Sequence, residues 1–193
     1  MGNAEETKQK IINETIQMIK ETDGAVEQIT IRKIAERTNI GVGLINHYFH
    51  SKDELIVVCV QSIIQQVVHS YRPSACNSKD SMEITKFVAK EVMDFLMENK
   101  QISKVSILAD MKSPKTDDNT MNTARGFFGL LSIGKSEATQ KQNKEEMWSA
   151  FLLTSMLQSA FLRKDILNDS IGVNWNDKQQ RDEFIDFMFQ HHM

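Results

Sequence analysis

The chain has 193 residues, of which 40% are hydrophobic and 25% charged, and these values are typical of a water-soluble globular protein. Its formal net charge of −3 argues against an indiscriminate nucleic-acid binder, because phosphate neutralisation needs a concentrated basic surface. No apolar run approaches the ~18 residues of a membrane-spanning helix, and no basic-then-apolar leader opens the chain. Cys59 lies in an apolar run and Cys76 in a loop-like stretch, which does not favour a disulfide. We therefore expect a cytoplasmic protein.

Apolar periodicity predicts helices along the whole chain and no convincing strand. Only two prolines and eight glycines interrupt the sequence, which leaves room for long helices. The polar stretch 115–120 is expected to be exposed, and the polar stretch 134–143 to be a loop or a frayed helix end. The predicted helices cover, in chain order, residues 5–22, 31–37, 42–49, 52–71, 84–98, 102–112, a segment around 127–131, 144–166 and 177–191.

The segment between Thr30 and Phe49 combines two short helices with a tight turn, and a longer helix precedes and follows it. That order is typical of the helix-turn-helix of DNA-binding proteins. Thr30 is a good N-cap for the second helix, and Ser51 with Glu54 has the spacing of a capping box for the fourth. Ala35 is small enough to let the two short helices cross closely. The apolar residues expected to fix the crossing angle are Ile34, Ile40 and Ile45.

Residues 29–55, with the sequence ITIRKIAERTNIGVGLINHYFHSKDEL, closely resemble the N-terminal helix-turn-helix of the TetR family of repressors. The positions that match the family pattern are Thr30, Ile34, Ala35, Ile40, Phe49, Ser51, Lys52 and Leu55. Four positions depart from it, and two of them, Gly41 and Gly43, make the recognition helix intrinsically weak. Asn39 stands where the family usually has glycine, and asparagine tolerates the left-handed backbone conformation better than most residues. Asn46 stands where a phosphate-binding tyrosine is common.

The helix pattern and the resemblance together predict an all-α fold with an N-terminal three-helix helix-turn-helix DNA-binding head and a larger C-terminal helical domain. We place the DNA-binding domain at residues 1–50 and the ligand-binding and dimerisation domain at residues 51–193. The resemblance implies a ligand-responsive, sequence-specific transcriptional regulator that binds double-stranded operator DNA as a homodimer. Repression relieved by the ligand is the expected mode of action.

The head is electrically neutral by residue count, since four cations and four anions lie between residues 24 and 55. Two of the cations, Arg32 and Lys52, lie near helix N-termini, where the amide dipoles also favour phosphate. The residues predicted to contact DNA are Thr30, Arg32, Val42, Gly43, Asn46, His47, Tyr48 and Lys52.

Asn46 has two alternative roles on DNA. Its amide group can pair with an adenine edge, or it can replace the family's phosphate-binding tyrosine. Val42 and Gly43 offer only methyl contact and close approach to the bases. His47 and His50 suit one helix face, but no carboxylate or thiol completes a metal site beside them. A surface role facing DNA is therefore favoured for this cluster.

The last two predicted helices carry more apolar side chains than one internal face can hide. Simple core packing explains part of this surplus, and a two-fold four-helix interface between two copies explains the rest. The residues predicted for the dimer interface are Leu152, Ser155, Met156, Ser159, Phe184 and Met188.

Methionine and aromatic side chains suit an adaptable apolar pocket, although core packing explains most of them equally well. The residues predicted to line a ligand pocket are Phe87, Met111, Phe127, Met147 and Phe151. No cluster of arginine or histidine indicates a strongly anionic ligand, so we expect an apolar or amphipathic one.

Two other classes of function compete with a regulator. A helical-bundle enzyme would need a nucleophile–base pair, a glycine-rich phosphate loop or a carboxylate–histidine metal set, and none is found at usable spacing. We therefore expect neither catalysis nor a cofactor. A helical adaptor that binds only protein is the other alternative, and a gel shift with DNA separates it from a regulator.

Overall fold

The computed structural model describes residues 2–22, 25–70, 78–135 and 144–192. Within those ranges every regular element is helical and no strand occurs, so the predicted all-α class is confirmed. A short 3-10 turn, Val26–Gln28, separates the first two α-helices. The α-helices are α1 Gly2–Glu21, α2 Ile31–Thr38, α3 Val42–Tyr48, α4 Lys52–Ser70, α5 Ser81–Glu98, α6 Lys100–Lys112, α7 Asn119–Leu131, α8 Lys144–Ile171 and α9 Lys178–His192.

Residue contacts divide the chain into two compact units. The N-terminal unit comprises Met1–Tyr71 with Asn99–Ala109, and the C-terminal unit comprises Arg72–Glu98 with Asp110–Met193. This division follows contacts and does not test the functional boundary predicted after residue 50, which stays a prediction. None of the described helices is long and apolar enough to span a membrane.

The core of the N-terminal unit lies between α1 and the helices that pack against it, α2, α3 and α4. α1 contributes an amphipathic stripe because its apolar residues recur at three and four positions. Its one buried hydroxyl, Thr15 Oγ1, donates to the carbonyl of Ile11 at 2.7 Å, so the stripe carries no unsatisfied polar group there. The largest fully buried side chains of this core are Ile11, Ile19, Ile29, Ile34, Ile45, Phe49 and Leu55.

The C-terminal unit packs α7 against α8 and α5 against α7, α8 and α9. Trp175, in the turn between α8 and α9, is buried and meets the edge of the Phe184 ring at a centroid distance of 5.4 Å. Arg181 of α9 is buried too, and its guanidinium donates to Asp94 of α5 at 2.8 Å. Asp110 is also buried, accepting from both the backbone N–H and the hydroxyl of Thr120 at 2.9 Å.

Several helix bounds differ from the sequence prediction, among them the start of α7, which lies at Asn119 because the Asp118 carboxylate caps the helix. α5 begins at Ser81, three residues earlier than predicted, because the Asp80 carboxylate accepts from the Met82 N–H at 3.0 Å. α8 continues to Ile171 instead of residue 166 and is followed by Gly172 with φ 73°. Glycine adopts that left-handed conformation without strain, so the helix ends there. Residues 136–143 of the polar stretch 134–143, with Pro73 and Cys76, lie outside the described residues.

Candidate nucleic-acid interface

α2 begins and ends with threonine hydroxyl groups. Thr30 has extended backbone angles, and its Oγ1 accepts from the Lys33 N–H at 3.2 Å, which confirms the predicted N-cap. At the other end, the buried Thr38 hydroxyl donates to the Ile34 carbonyl at 2.7 Å. The Thr30 cap therefore fixes the start of the helix, and the Thr38 bond satisfies a buried hydroxyl within its last turn.

The turn between α2 and α3 depends on a left-handed residue. Asn39 has φ 53° and ψ 40°, and its N–H reaches the carbonyls of Ala35 and Glu36. It is the one non-glycine residue with positive φ in the described part of the chain. Asparagine tolerates this region better than most residues. The predicted role of Asn39 as a substitute for the usual glycine is confirmed.

α3 is held to the unit by Ile45, which is 0% exposed and is the buried residue of this helix. Phe49 follows α3, is buried as well, and donates its N–H to the Ile45 carbonyl at 2.9 Å. By contrast, Val42 is 40% exposed and Leu44 is 42% exposed. The sequence prediction omitted Leu44 from the DNA-facing residues.

The outward face of α3 consists of three rows, because each helical residue turns the chain by about 100°. Leu44 lies beside the half-buried Tyr48, Gly43 beside His47, and Val42 beside Asn46, each pair being four residues apart. Gly43, at the start of the middle row, has open space where a Cβ would be, with no atom within 4 Å. The backbone of α3 is therefore accessible between two flanking side chains.

His47 and Tyr48 stack obliquely at the C-terminal end of this face, with ring centroids 5.6 Å apart. Among the residues that the structure describes, no three His, Cys, Asp or Glu side chains are grouped to hold a metal ion. The exposed His47 and His50 are therefore surface groups of the head.

Two lysines are anchored on the 3-10 turn that precedes α2. Lys33 Nζ donates to the Gln28 carbonyl at 3.0 Å, and Lys52 Nζ donates to the Val26 carbonyl at 3.3 Å. Both acceptors are neutral carbonyls, so these bonds restrict the positions of the two ammonium groups without pairing them with a carboxylate. Lys52 is predicted from sequence as a phosphate contact, but its bond to the Val26 carbonyl, 26 residues away, leaves no signal in the sequence.

α4 begins with a side-chain cap. The Glu54 N–H donates to Ser51 Oγ at 3.1 Å, which is the first of the two bonds of the predicted capping box. The cap fixes the start of α4 at Lys52, the residue whose ammonium group is bound to the Val26 carbonyl.

Arg37 is committed to carboxylates of α1 rather than to the outer surface. Its Nε donates to Glu14 at 3.1 Å, and its two terminal nitrogens pair with the Glu21 carboxylate. The hydrogen bond from Arg37 lowers the pKa of Glu21, and the same bond together with that to Glu14 raises the pKa of Arg37. Glu14 and Glu21 lie outside the counted segment, so Arg37 adds no unpaired positive charge to the outer surface of the head.

α1 contributes a cation that the sequence analysis did not consider. Lys8 Nζ lies 6.0 Å from the centroid of the Phe49 ring, at the C-terminal end of α3. The head thus gathers Lys8, Arg32, Lys33 and Lys52 around the two short helices without a carboxylate bond to any of them among the described contacts.

The family described as "Bacterial regulatory proteins, tetR family" matches residues 22–59. This range contains the 3-10 turn, α2, α3 and the first turns of α4. The chain carries a TetR-family DNA-binding domain. The predicted resemblance is thereby confirmed, and the protein is a DNA-binding transcriptional regulator. No curated protein matches the chain.

The residues predicted for a ligand pocket all lie in the C-terminal unit, which the TetR-family match does not cover. Phe127 is buried, and Phe87 and Met147 are half-buried, on helices α7, α5 and α8, which pack against one another. Phe151 is exposed on α8, and Met111 is exposed at the end of α6. The pocket stays a prediction.

The residues predicted for a dimer interface also differ in exposure. Leu152 is 65% exposed, Ser159 is exposed, and Ser155 and Met156 are half-buried, all on α8. On α9, Met188 is 3% exposed and belongs to the core of the protomer. Phe184 is half-buried against Trp175. The exposed candidates therefore lie on α8.

Proposed function

We propose that this protein is a ligand-responsive, sequence-specific repressor that binds operator DNA as a homodimer, with α3 in the major groove. One observation carries the proposal. α3 has Ile45 as its one fully buried residue and leaves Val42, Gly43, Leu44, Asn46 and His47 exposed within a TetR-family domain. A helix in the major groove needs such a face, because bulky core contacts on its outer side would prevent entry.

Contacts to the DNA backbone would come from the cations around α2 and the start of α4. Phosphate contacts position a protein on the duplex, whereas contacts to base edges specify the sequence. We assign Arg32, Lys33 and Lys52 to phosphates, with the N-terminal amides of α2 next to Thr30 adding their dipole. We assign the exposed residues of α3 to the base edges.

A row of four exposed and two half-buried residues on α8 supports a dimer. Its members repeat at alternating intervals of four and three residues, and at about 100° per residue they fall within about 40° of one line. That spacing is typical of helices that pack side by side along their length. The two large side chains at the ends of the row, Trp148 and Ile166, are 62% and 52% exposed. The row consists of Trp148, Leu152, Ser155, Ser159, Leu162 and Ile166.

The dimer would hold two copies of α3 about 34–36 Å apart, which is one turn of the DNA helix. We propose that an apolar or amphipathic ligand binds among the helices of the C-terminal unit and favours a different separation. A coupling free energy of ~1–3 kcal/mol changes DNA affinity several-fold to a hundredfold. Such a protein works in the compartment that holds its DNA, the cytoplasm of a bacterial cell, and needs no catalytic group.

A gel shift with the DNA upstream of the protein's own gene tests the proposal, with Asn46→Ala and Lys52→Ala measured on that DNA and on random DNA at two salt concentrations. Lys52→Ala should weaken binding to every sequence and make the salt slope shallower by about one unit. Asn46→Ala should lose ~1–3 kcal/mol on the operator alone if Asn46 reads a base. Equal losses on both DNAs would assign Asn46 to a phosphate, and no preference for any DNA by the unmodified protein would refute the proposed function.

Gly43→Ala is expected to move fold stability and DNA affinity in opposite directions. A Cβ at this position meets no protein atom, and alanine favours a helix over glycine by up to about 1 kcal/mol. The same Cβ would occupy the space through which the backbone of α3 approaches the bases. We therefore expect an unchanged or higher melting temperature and an operator affinity lowered about tenfold, as for an overpacked contact.

Gly126→Ala on α7 is the matched control, since a Cβ there also has open space. It should raise the melting temperature without changing DNA affinity. Full operator affinity for Gly43→Ala would show that α3 does not approach the bases through this position.

A further inference from the structure

The exposed face of α3 is chemically divided along its length. Its first turn carries Val42, Gly43 and Leu44, which offer no side-chain donor or acceptor. Its second turn carries the polar side chains of Asn46, His47 and Tyr48. A recognition helix that read bases only through hydrogen bonds would have no use for the first group.

Leu44 is the larger apolar side chain of the first turn, and it does not serve the core. Ile45 occupies the buried side of α3, and Leu44 lies about 100° around the helix from it. Leu44 is 42% exposed and Val42 is 40% exposed, so both keep much of their apolar surface in water in the free protein. Removal of that surface from water favours any partner that offers an apolar group at this place.

The major groove of DNA offers one apolar group on its base edges, the C5-methyl of thymine. The other groove features are hydrogen-bond donors and acceptors. A leucine placed over them would exclude water and leave them unpaired, which is unfavourable. The open backbone at Gly43, next to Leu44, lets α3 and the Leu44 side chain approach the base edges closely.

We propose that Leu44 selects thymine in each operator half-site by contact with the thymine methyl group. This inference rests on the proposed function and adds to it the base that the apolar turn of α3 recognises. The polar turn, with Asn46 and His47, then reads neighbouring bases by hydrogen bonds.

The test starts from a random-core DNA duplex library, from which the purified full-length protein selects its preferred sequence. Each thymine of the selected sequence is then replaced by deoxyuridine, which removes the methyl group and leaves the Watson–Crick edge unchanged. At one thymine per half-site we expect an affinity loss of about fourfold for one substituted half-site and about fifteenfold for both, from the ~0.8 kcal/mol per buried methyl group. This measurement needs no altered protein, so a folding defect cannot imitate it.

Leu44→Ala should bind the thymine and deoxyuridine forms of that site equally. Asn46→Ala is the control, and it should keep the full difference between the two forms. If no sequence is enriched, both the proposed function and this inference are wrong. If a sequence is enriched and its deoxyuridine forms bind the unmodified protein as tightly as the thymine form, only the inference is overturned.

Discussion

Leu152→Asp is expected to convert the proposed homodimer into monomers and to weaken operator binding by about two orders of magnitude or more. Leu152 is the second of the six residues of the row on α8 and is 65% exposed. A carboxylate there costs the isolated chain little, but in a dimer it would be buried without a partner. Operator affinity falls with the dimer because binding of the second head is no longer intramolecular, an advantage of about 10²–10⁴.

Light scattering at micromolar concentration and a gel shift with the operator measure the two effects. Ile171→Asp is the control, because Ile171 is exposed on the same helix but lies more than 90° around it from the row. A dimeric Leu152→Asp variant, or a monomeric unmodified protein, would show that the row on α8 is not the interface. Met188 is unsuitable for this test since its burial in the protomer would make an aspartate there a folding defect.

Ile45→Ala is expected to lower the free energy of unfolding by about 2–5 kcal/mol, the usual cost of a large-to-small change in a packed core. Ile45 is 0% exposed and is the buried attachment of α3. Without it α3 keeps the half-buried Tyr48 and the backbone bond from Phe49 but loses its one fully buried contact with the core. Operator binding should therefore fail together with stability.

The neighbouring substitution Leu44→Ala is the matched control for urea denaturation followed by circular dichroism. Leu44 is exposed on the same helix, so its truncation should change the free energy of unfolding by no more than about 0.5 kcal/mol. If the two variants lost equal stability, Ile45 would not be the anchor of α3. Operator binding by a fully stable Ile45→Ala variant would contradict the same assignment.

The sequence was sufficient for the helices and for the head. Apolar residues at three- and four-residue intervals, and side chains that cap the ends, are local signals, and α2 with Thr30 is the clearest case. The end of α8 was missed because residues 168–170 are exposed polar residues that carry no apolar periodicity. Helices that extend into solvent beyond the core are poorly marked by apolar spacing.

The contacts of the site were less predictable because they join residues distant in sequence. Arg37 is one of the four cations counted in the head. Its partners Glu14 and Glu21 lie 23 and 16 residues earlier in the sequence, on another helix. Leu44 was omitted because an apolar residue on a short helix is usually assigned to the core. Of the two neighbours Leu44 and Ile45, Ile45 is the buried one. A helical projection with Ile45 on the buried side places Leu44 toward solvent.

The sequence indicates a surplus of apolar residues on the last two helices, but it does not indicate which of them belong to the core and which to an interface. Burial within a protomer and burial between protomers leave the same composition. Met188 proves to serve the protomer core, whereas Leu152 remains exposed. Only a three-dimensional account of exposure separates the two uses, and it shifts the interface proposal from α9 toward α8.

The anchoring of Lys33 and Lys52 on the 3-10 turn has a consequence for how this protein tolerates mutation. Both acceptors are main-chain carbonyls, those of Gln28 and Val26. A substitution that preserves the backbone at those two positions leaves the carbonyls in place, so random replacement of the side chains does not release the lysines. The placement of the two charges is thus buffered against sequence drift in the turn, while the exposed residues of α3 remain free to change. Under the proposed assignment of these lysines to phosphates, a lineage can therefore acquire a new operator sequence without losing its contacts to the DNA backbone.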